Sequence, residues 1–141
     1  MNKPLIITQV LGRPITTKKC FDALLAHTRR EDFEWTIVDQ ASNSDVKALL
    51  TNYKPDNILM RDFNSGIVYG MNEAVYLTRK PGQDIIKIDD DVVIETKNWL
   101  DLFYKVFEDK SIGSVLGRRP TFFIDDSPER FITYIQMPRK E

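Results

Sequence analysis

The chain has one cysteine, one histidine, almost no net charge and no long apolar run. Each shortage removes a class of protein. A lone Cys20 excludes an internal disulfide framework and any zinc site built on cysteines. Cys20 and His27 fall about two helical turns apart on the expected helix, too far for a thiol and its activating base, so Cys20 is read as a packing residue. No stretch approaches the roughly 20 apolar residues of a membrane span, and no signal-peptide pattern opens the chain. A cytoplasmic, reducing setting without an integral membrane segment is therefore expected. With 20 basic and 21 acidic residues, no overall field draws nucleic acid or anionic lipid, and Arg118-Arg119 is too small a cluster to supply one.

What is present is an ordinary globular composition, 42% hydrophobic and 29% charged over 141 residues, enough for one domain spanning 1–141 with a real core. Apolar, β-branched runs alternate with helical patterns, which predicts an α/β domain with a mostly parallel sheet. Strands are expected at 4–10, 33–39, 56–60, 84–88 and 111–116, with further strands at 121–124 and 131–137. Thr16 or Thr17 is expected to cap the first helix, with Phe21, Leu24, Leu25 and Thr28 on one face. Ser42 or Ser44 would cap a short second helix, and Asn64 or Ser65 a third that turns Val68, Met71, Val75 and Tyr76 to the core. Thr96 or Asn98 would cap a fourth, burying Leu100, Phe103, Val106 and Phe107.

The most informative local feature is Asp89-Asp90-Asp91, set between Ile85-Ile86-Lys87-Ile88 and Val92-Val93-Ile94. Three adjacent like charges cannot be buried unpaired, so an apolar strand is read as delivering acids to a sheet edge. Oxygen-only donors there suit a hard cation, Mg²⁺ or Mn²⁺. The plainer alternative is a solvated acidic turn. Ligands of open α/β sheets bind beyond the carboxyl ends of the strands. Those ends carry Thr8-Gln9 with the Gly12-Arg13-Pro14 turn, Asp39 through Asp45, Arg61 through Asn64, and the triplet. Each also has a local explanation, Asp39 and the serines as caps and Asn64-Ser65-Gly66 as a helix start. Asn72 and Gly70 weaken the third helix for no packing return, which suggests a close approach of backbone or ligand.

Together these residues resemble the family 2 glycosyltransferases, nucleotide-sugar enzymes with the Rossmann-related GT-A fold. The likeness runs over residues 4 to 118. It is carried by Pro4 to Thr8 with Arg13-Pro14, by Trp35 to Ser42 around Asp39, by Asn64-Ser65-Gly66 with Asn72-Glu73-Ala74, and by Asp89-Asp90-Asp91 with Trp99-Leu100. The resemblance implies that Asp39 accepts a hydrogen bond from the base, with Thr8 and Arg13 lining that pocket and Ser42 beside it. It further implies that Asp91 ligates Mn²⁺ or Mg²⁺, that Asp89 sits near the ribose or a metal-bound water, and that Asp90 joins the nucleotide set. Asn64 and Asn72 would support the nucleotide side of the cleft.

The implied activity is inverting transfer of a sugar from a nucleoside-diphosphate sugar, with a UDP-sugar as the expected donor, to an unnamed acceptor. Two departures stand out: Gly12 replaces the asparagine usual before the arginine, and Ser44 stands where a second acid often follows. Only 50 residues follow Asp91, so 1–118 is expected as the nucleotide-binding core and 119–141 as a remnant of the acceptor half. Asp125 and Asp126, with Glu129, are the acids available there as a general base. A C-terminal apolar set, Phe131, Ile132, Tyr134 and Ile135, is expected to need a partner or a second copy. Two other readings stand beside the enzyme: a nucleotide-sugar-binding module without turnover, and a small α/β scaffold whose acids bind Mg²⁺.

Overall fold

The structure is a computed structural model that describes residues 3–117 and 132–136, the latter by backbone alone. The chain divides into two compact units between Glu95 and Thr96. The first contains β1 (Leu5–Val10), α1 (Pro14–His27), a 3₁₀ turn (Arg30–Asp32), β2 (Glu34–Asp39), α2 (Ser44–Asn52), β3 (Asn57–Met60), α3 (Ile67–Thr78) and β4 (Ile85–Asp89). The second contains α4 (Trp99–Val106), β5 (Ile112–Gly117) and β6 (Ile132–Gln136). The expected strand at 121–124 lies outside the described residues.

The sheet of the first unit runs β3-β2-β1-β4, every neighbouring pair parallel. Parallel pairing puts all four carboxyl ends on one edge, and the register sets Val10 beside Asp39 and Gln9 beside Asp89. Side chains alternate between the two faces along each strand. Leu5 and Ile7 of β1 and Val38 of β2 form one buried cluster with Ala74 of α3, lined by Leu59, Met71 and Val75. On the other face Trp35 meets Phe21 of α1 edge-to-face, with ring centres 4.7 Å apart, and Tyr53 closes over Phe21 at 5.1 Å. A fully buried aliphatic or aromatic side chain contributes about 1.5–3 kcal/mol, against about 0–1 for an exposed ion pair. The core of β1, β2 and α1 therefore dominates the stability of this unit.

Several local expectations give way to tertiary contacts. Pro14 opens α1 in its first turn, and the cap position belongs to Arg13, not to Thr16 or Thr17. Asn43 caps α2, its Oδ1 accepting the Val46 N–H at 3.1 Å, so neither Ser42 nor Ser44 does so. At the start of α3 the cap is Gly66 at φ 81°, a conformation that favours glycine. The core-facing residues of that helix are Gly70 and Ala74, with Met71 and Val75 partly covered; Val68 (74% exposed) and Tyr76 (87%) face outward. Asn98 holds the cap position of α4 in the left-handed region, without a side-chain cap.

In the second unit β5 and β6 pair antiparallel, from Ile112 opposite Gln136 to Gly117 opposite Ile132. Trp99 is buried and meets Phe103 edge-to-face at 5.3 Å, while Leu100, Val106 and Phe107 are half-buried. The side chains of Phe131, Ile132, Tyr134 and Ile135 are outside the described set.

Candidate functional site

Strand alternation decides how the acid triplet is disposed. On β4, Ile86 and Ile88 take one face and Lys87 and Asp89 the other. The alternation extends into the turn beyond, so Asp90 turns inward beside α1. Asp90 is almost fully buried: its Oδ1 is ion-paired to Arg13 Nη2, and its Oδ2 accepts the Thr17 hydroxyl at 3.3 Å. Asp91 is exposed and accepts from Arg13 Nη1 at 3.4 Å, while exposed Asp89 is ion-paired to Lys87. The Val92 N–H closes the turn onto the Asp89 carbonyl at 3.1 Å. The outer two acids thus present oxygens outward, and the middle one anchors the turn.

Asp39 ends β2 with no exposed surface. Its Oδ1 accepts the Ser42 N–H at 3.1 Å; its Oδ2 is buried and has no hydrogen-bond partner. A bare carboxylate oxygen in the interior is costly, and such an atom at a sheet edge is left for a donor from outside the chain, water or ligand, to satisfy. Ser42 in turn accepts, through Oγ, the Gly12 N–H at 3.0 Å. Asp39, Ser42, Gly12, Arg13, Asp90 and Asp91 therefore form one connected chain along the edge.

Other expected residues lie differently. Thr8 is fully buried, its hydroxyl accepting from Trp35 Nε1 at 3.3 Å, which makes it a support beneath the edge. The side chain of Arg13 reaches the acid triplet, not Asp39, because Asp90 and Asp91 offer it two carboxylates. Asn64 is exposed and its Oδ1 accepts the Gly66 N–H at 2.9 Å, shaping its own loop; Asn72 is exposed on α3. Asp125, Asp126 and Glu129 lie outside the described residues.

Two side chains whose strand-end position is legible in sequence, Gln9 and Gln40, have roles that are not. Gln40 is buried and donates through Nε2 to Gln9 Oε1 at 2.9 Å and to the Gly66 carbonyl at 3.2 Å. Its Oε1 accepts both the backbone N–H and the hydroxyl of Ser65, at 3.0 and 3.1 Å. Gln9 Nε2 donates to the Ile67 carbonyl at 2.7 Å. The loop before α3 is thus sewn to the ends of β1 and β2. Gly70 allows this, since a Cβ there would lie 2.3 Å from Gln40 Nε2.

The thiol of Cys20 is buried beside this edge, donating to the Asp89 carbonyl at 3.4 Å. Burial, with the nearby Asp90 charge, pushes its pKa up to about 12. It is a packing group, not a nucleophile.

Comparison with known proteins bears on this arrangement. The family model described as "Glycosyl transferase family 2" matches residues 6–140. The chain belongs to this family. No curated protein matches it in sequence. Among solved structures, the mannosyltransferase PcManGT from Pyrobaculum calidifontis, in complex with GDP-Man and Mn²⁺, superposes with a TM-score of 0.72 at 16% identity, over 84% of this chain and 36% of that one. TarS of S. aureus superposes at 0.68 and 18% identity, over 90% of this chain and 23% of that one. Its 1–349 fragment gives 0.68 at 19% identity, over 90% and 38%. At these identities the likeness establishes the GT-A fold of this family 2 chain, which spans between 23% and 38% of the length of those structures.

Among the described residues, no three His, Cys, Asp or Glu side chains converge as a ready metal cage, and no helix is long and apolar enough to cross a membrane. The exposed oxygens of Asp89 and Asp91 nevertheless fit a hard divalent ion. Such ions are commonly held by one or two carboxylates, with phosphate and water completing the shell.

Proposed function

We propose that this family 2 chain carries the donor-binding part of a metal-dependent, inverting glycosyltransferase that uses a nucleoside-diphosphate sugar. The observation that carries the reading is the buried, partnerless Oδ2 of Asp39 at the carboxyl edge. A carboxylate acceptor there favours a base with a ring N–H. Uracil and guanine both qualify, so the UDP-sugar expected from the sequence and a GDP-sugar are tested together.

Asp39 would orient the base, with Ser42 fixing the carboxylate through its backbone N–H. Asp91 and Asp89 would hold Mn²⁺ or Mg²⁺, which stabilises the negative charge that develops on the departing diphosphate. Asp90 would act by keeping the turn in place. Asn64 and Asn72 would border the nucleotide, and Asp125 or Asp126 would supply the base for the acceptor hydroxyl. The buried thiol of Cys20 accords with a reducing, cytoplasmic setting. The second reading is a module that binds donor without turnover.

Calorimetry and thermal shift with UDP and GDP, each with and without Mn²⁺, test the proposal. A diphosphate at about 100 times its Kd adds about 2.7 kcal/mol of stability. Asp39→Ala should weaken binding about 10- to 100-fold with or without metal, the scale of a hydrogen bond to a buried charge. Asp91→Ala should weaken it only when Mn²⁺ is present. If neither diphosphate binds, or Asp39→Ala binds as well as the parent, the proposal fails. Hydrolysis of a donor sugar by the chain alone separates enzyme from module.

A further inference from the structure

The backbone at Arg13 is fixed on both sides. Gly12 before it sits at φ 63° with its N–H on Ser42, and Pro14 after it opens α1. From this anchored point the guanidinium reaches two carboxylates that differ in kind. Asp90 is buried (side chain 4% exposed), in close contact with Nη2, and also held by Thr17. Asp91 is exposed, its contact with Nη1 is longer at 3.4 Å, and Arg13 itself is half-exposed. One contact is built to last and the other to yield.

We infer that Arg13 is a tethered counter-cation of the acid triplet, a positioning residue that balances Asp91 until a divalent ion replaces it while keeping its grip on Asp90. The inference rests on the metal role given to Asp91 above. A divalent ion at Asp91 repels the neighbouring guanidinium, and the exposed, longer contact is the one that parts. Arg13 therefore opposes the uptake of metal alone. A diphosphate offsets that opposition, because its negative charge neutralises both cations. The same residue follows Gly12, whose N–H is bonded to Ser42 and through it to Asp39, so base recognition and metal uptake share one anchor. Metal and nucleotide should then bind cooperatively, each raising the affinity of the other by the same factor.

The test uses the full chain and Mn²⁺ alone, followed by the loss of the free-ion electron paramagnetic resonance signal. Arg13→Gln should bind Mn²⁺ about three- to tenfold more tightly than the parent at low ionic strength, with the difference shrinking as salt is added. Arg13→Lys, which keeps the charge, should stay near the parent. Should Arg13→Gln fail to fold because Asp90 is left unpaired, the double variant Arg13→Gln/Asp90→Asn removes the buried charge with its partner and should show the same gain. Equal or weaker Mn²⁺ affinity in a folded glutamine variant overturns the inference, as does absence of Mn²⁺ binding in every variant. Diphosphate binding without metal would in that last case leave the Asp39 reading standing, so the two failures are distinguishable.

Discussion

The two ends of the parallel sheet carry comparable numbers of charged groups and treat them in opposite ways. At the amino end, a groove of about 770 Å³ is lined by Lys3, Arg30, Glu34, Asp56 and Lys80 among others. Its two strand-flanking carboxylates are fully matched. Glu34 is ion-paired to Lys80 and accepts from Gln83 Nε2 at 3.2 Å; Asp56 accepts from Arg30 and from the Trp35 N–H, both at 2.7 Å. At the carboxyl end, Asp39 has a buried oxygen with no partner, and Asp91 has one long contact. The groove is open, but the strand-flanking carboxylates that line it are already paired within the chain. Unmet pairing, not volume, is the ground on which the proposed site is placed at the carboxyl end.

The largest effect that separates the ends is expected at Gly70. An added Cβ would meet Gln40 Nε2 at 2.3 Å and Gln9 Oε1 at 2.7 Å, breaking the amide network that holds the loop before α3. Overpacking of this kind costs about 1–3 kcal/mol. Gly70→Ala should lower the denaturation midpoint and also weaken diphosphate binding several-fold. Lost stability with unaltered binding would detach that loop from the site.

Asp56→Ala probes the other end. It strips a partner from the Trp35 N–H and from Arg30, at a cost of about 1–2 kcal/mol. Most of this belongs to the backbone bond, since the ion pair is partly exposed. Diphosphate affinity should stay within twofold of the parent. A larger loss would show that the amino end communicates with the site, and the contrast between the ends would fall.

The same contrast explains what the sequence could disclose. The runs Leu5–Val10 and Trp35–Val38 are apolar and β-branched or aromatic, so strands and their order along the chain are legible, and with them the edge where Asp39 and Asp89 must emerge. The buried face of α3 is not. Ile67, Val68, Tyr69, Met71, Val75, Tyr76 and Leu77 surround the helix with apolar side chains, so periodicity alone selects no face. Gly70 and Ala74 take the core side because only small residues let the helix approach β1 and β2 closely. Pairings of side chains are hidden for a different reason. Thr17 reads as a cap by its neighbours, yet its hydroxyl is taken by Asp90, 73 residues away, and Arg13 reaches the same carboxylate from 77. Local pattern placed the acids at the edge; which of them would be neutralised depended on the register of β4 beside β1.

The smallest expected effects are the pH limbs, one from each end of the sheet. Hydrogen bonds from Lys80 hold the Glu34 carboxyl below its ordinary 4.5. Burial pushes Asp56 up, but Arg30 and the Trp35 N–H outweigh it and leave it below 3.8. Carboxyls lowered in the folded state contribute stability that is present above those ordinary values and is lost as pH falls through the lowered ones. The amino end should thus weaken the fold below about pH 4, by at most about 1.4 kcal/mol per pH unit for each group and by less after solvent screening. Beside the carboxyl end the sign is reversed. The Cys20 thiol is raised from 9.0 to about 12, so its contribution is whole below pH 9 and declines as pH climbs from 9 toward 12. Denaturant midpoints measured across pH should show both limbs. Asp56→Asn should flatten the acid one, and Cys20→Ala the alkaline one. If Cys20→Ala leaves the alkaline slope untouched, the thiol is not held neutral by its burial, and the packing role assigned to it beneath Asp89 is wrong.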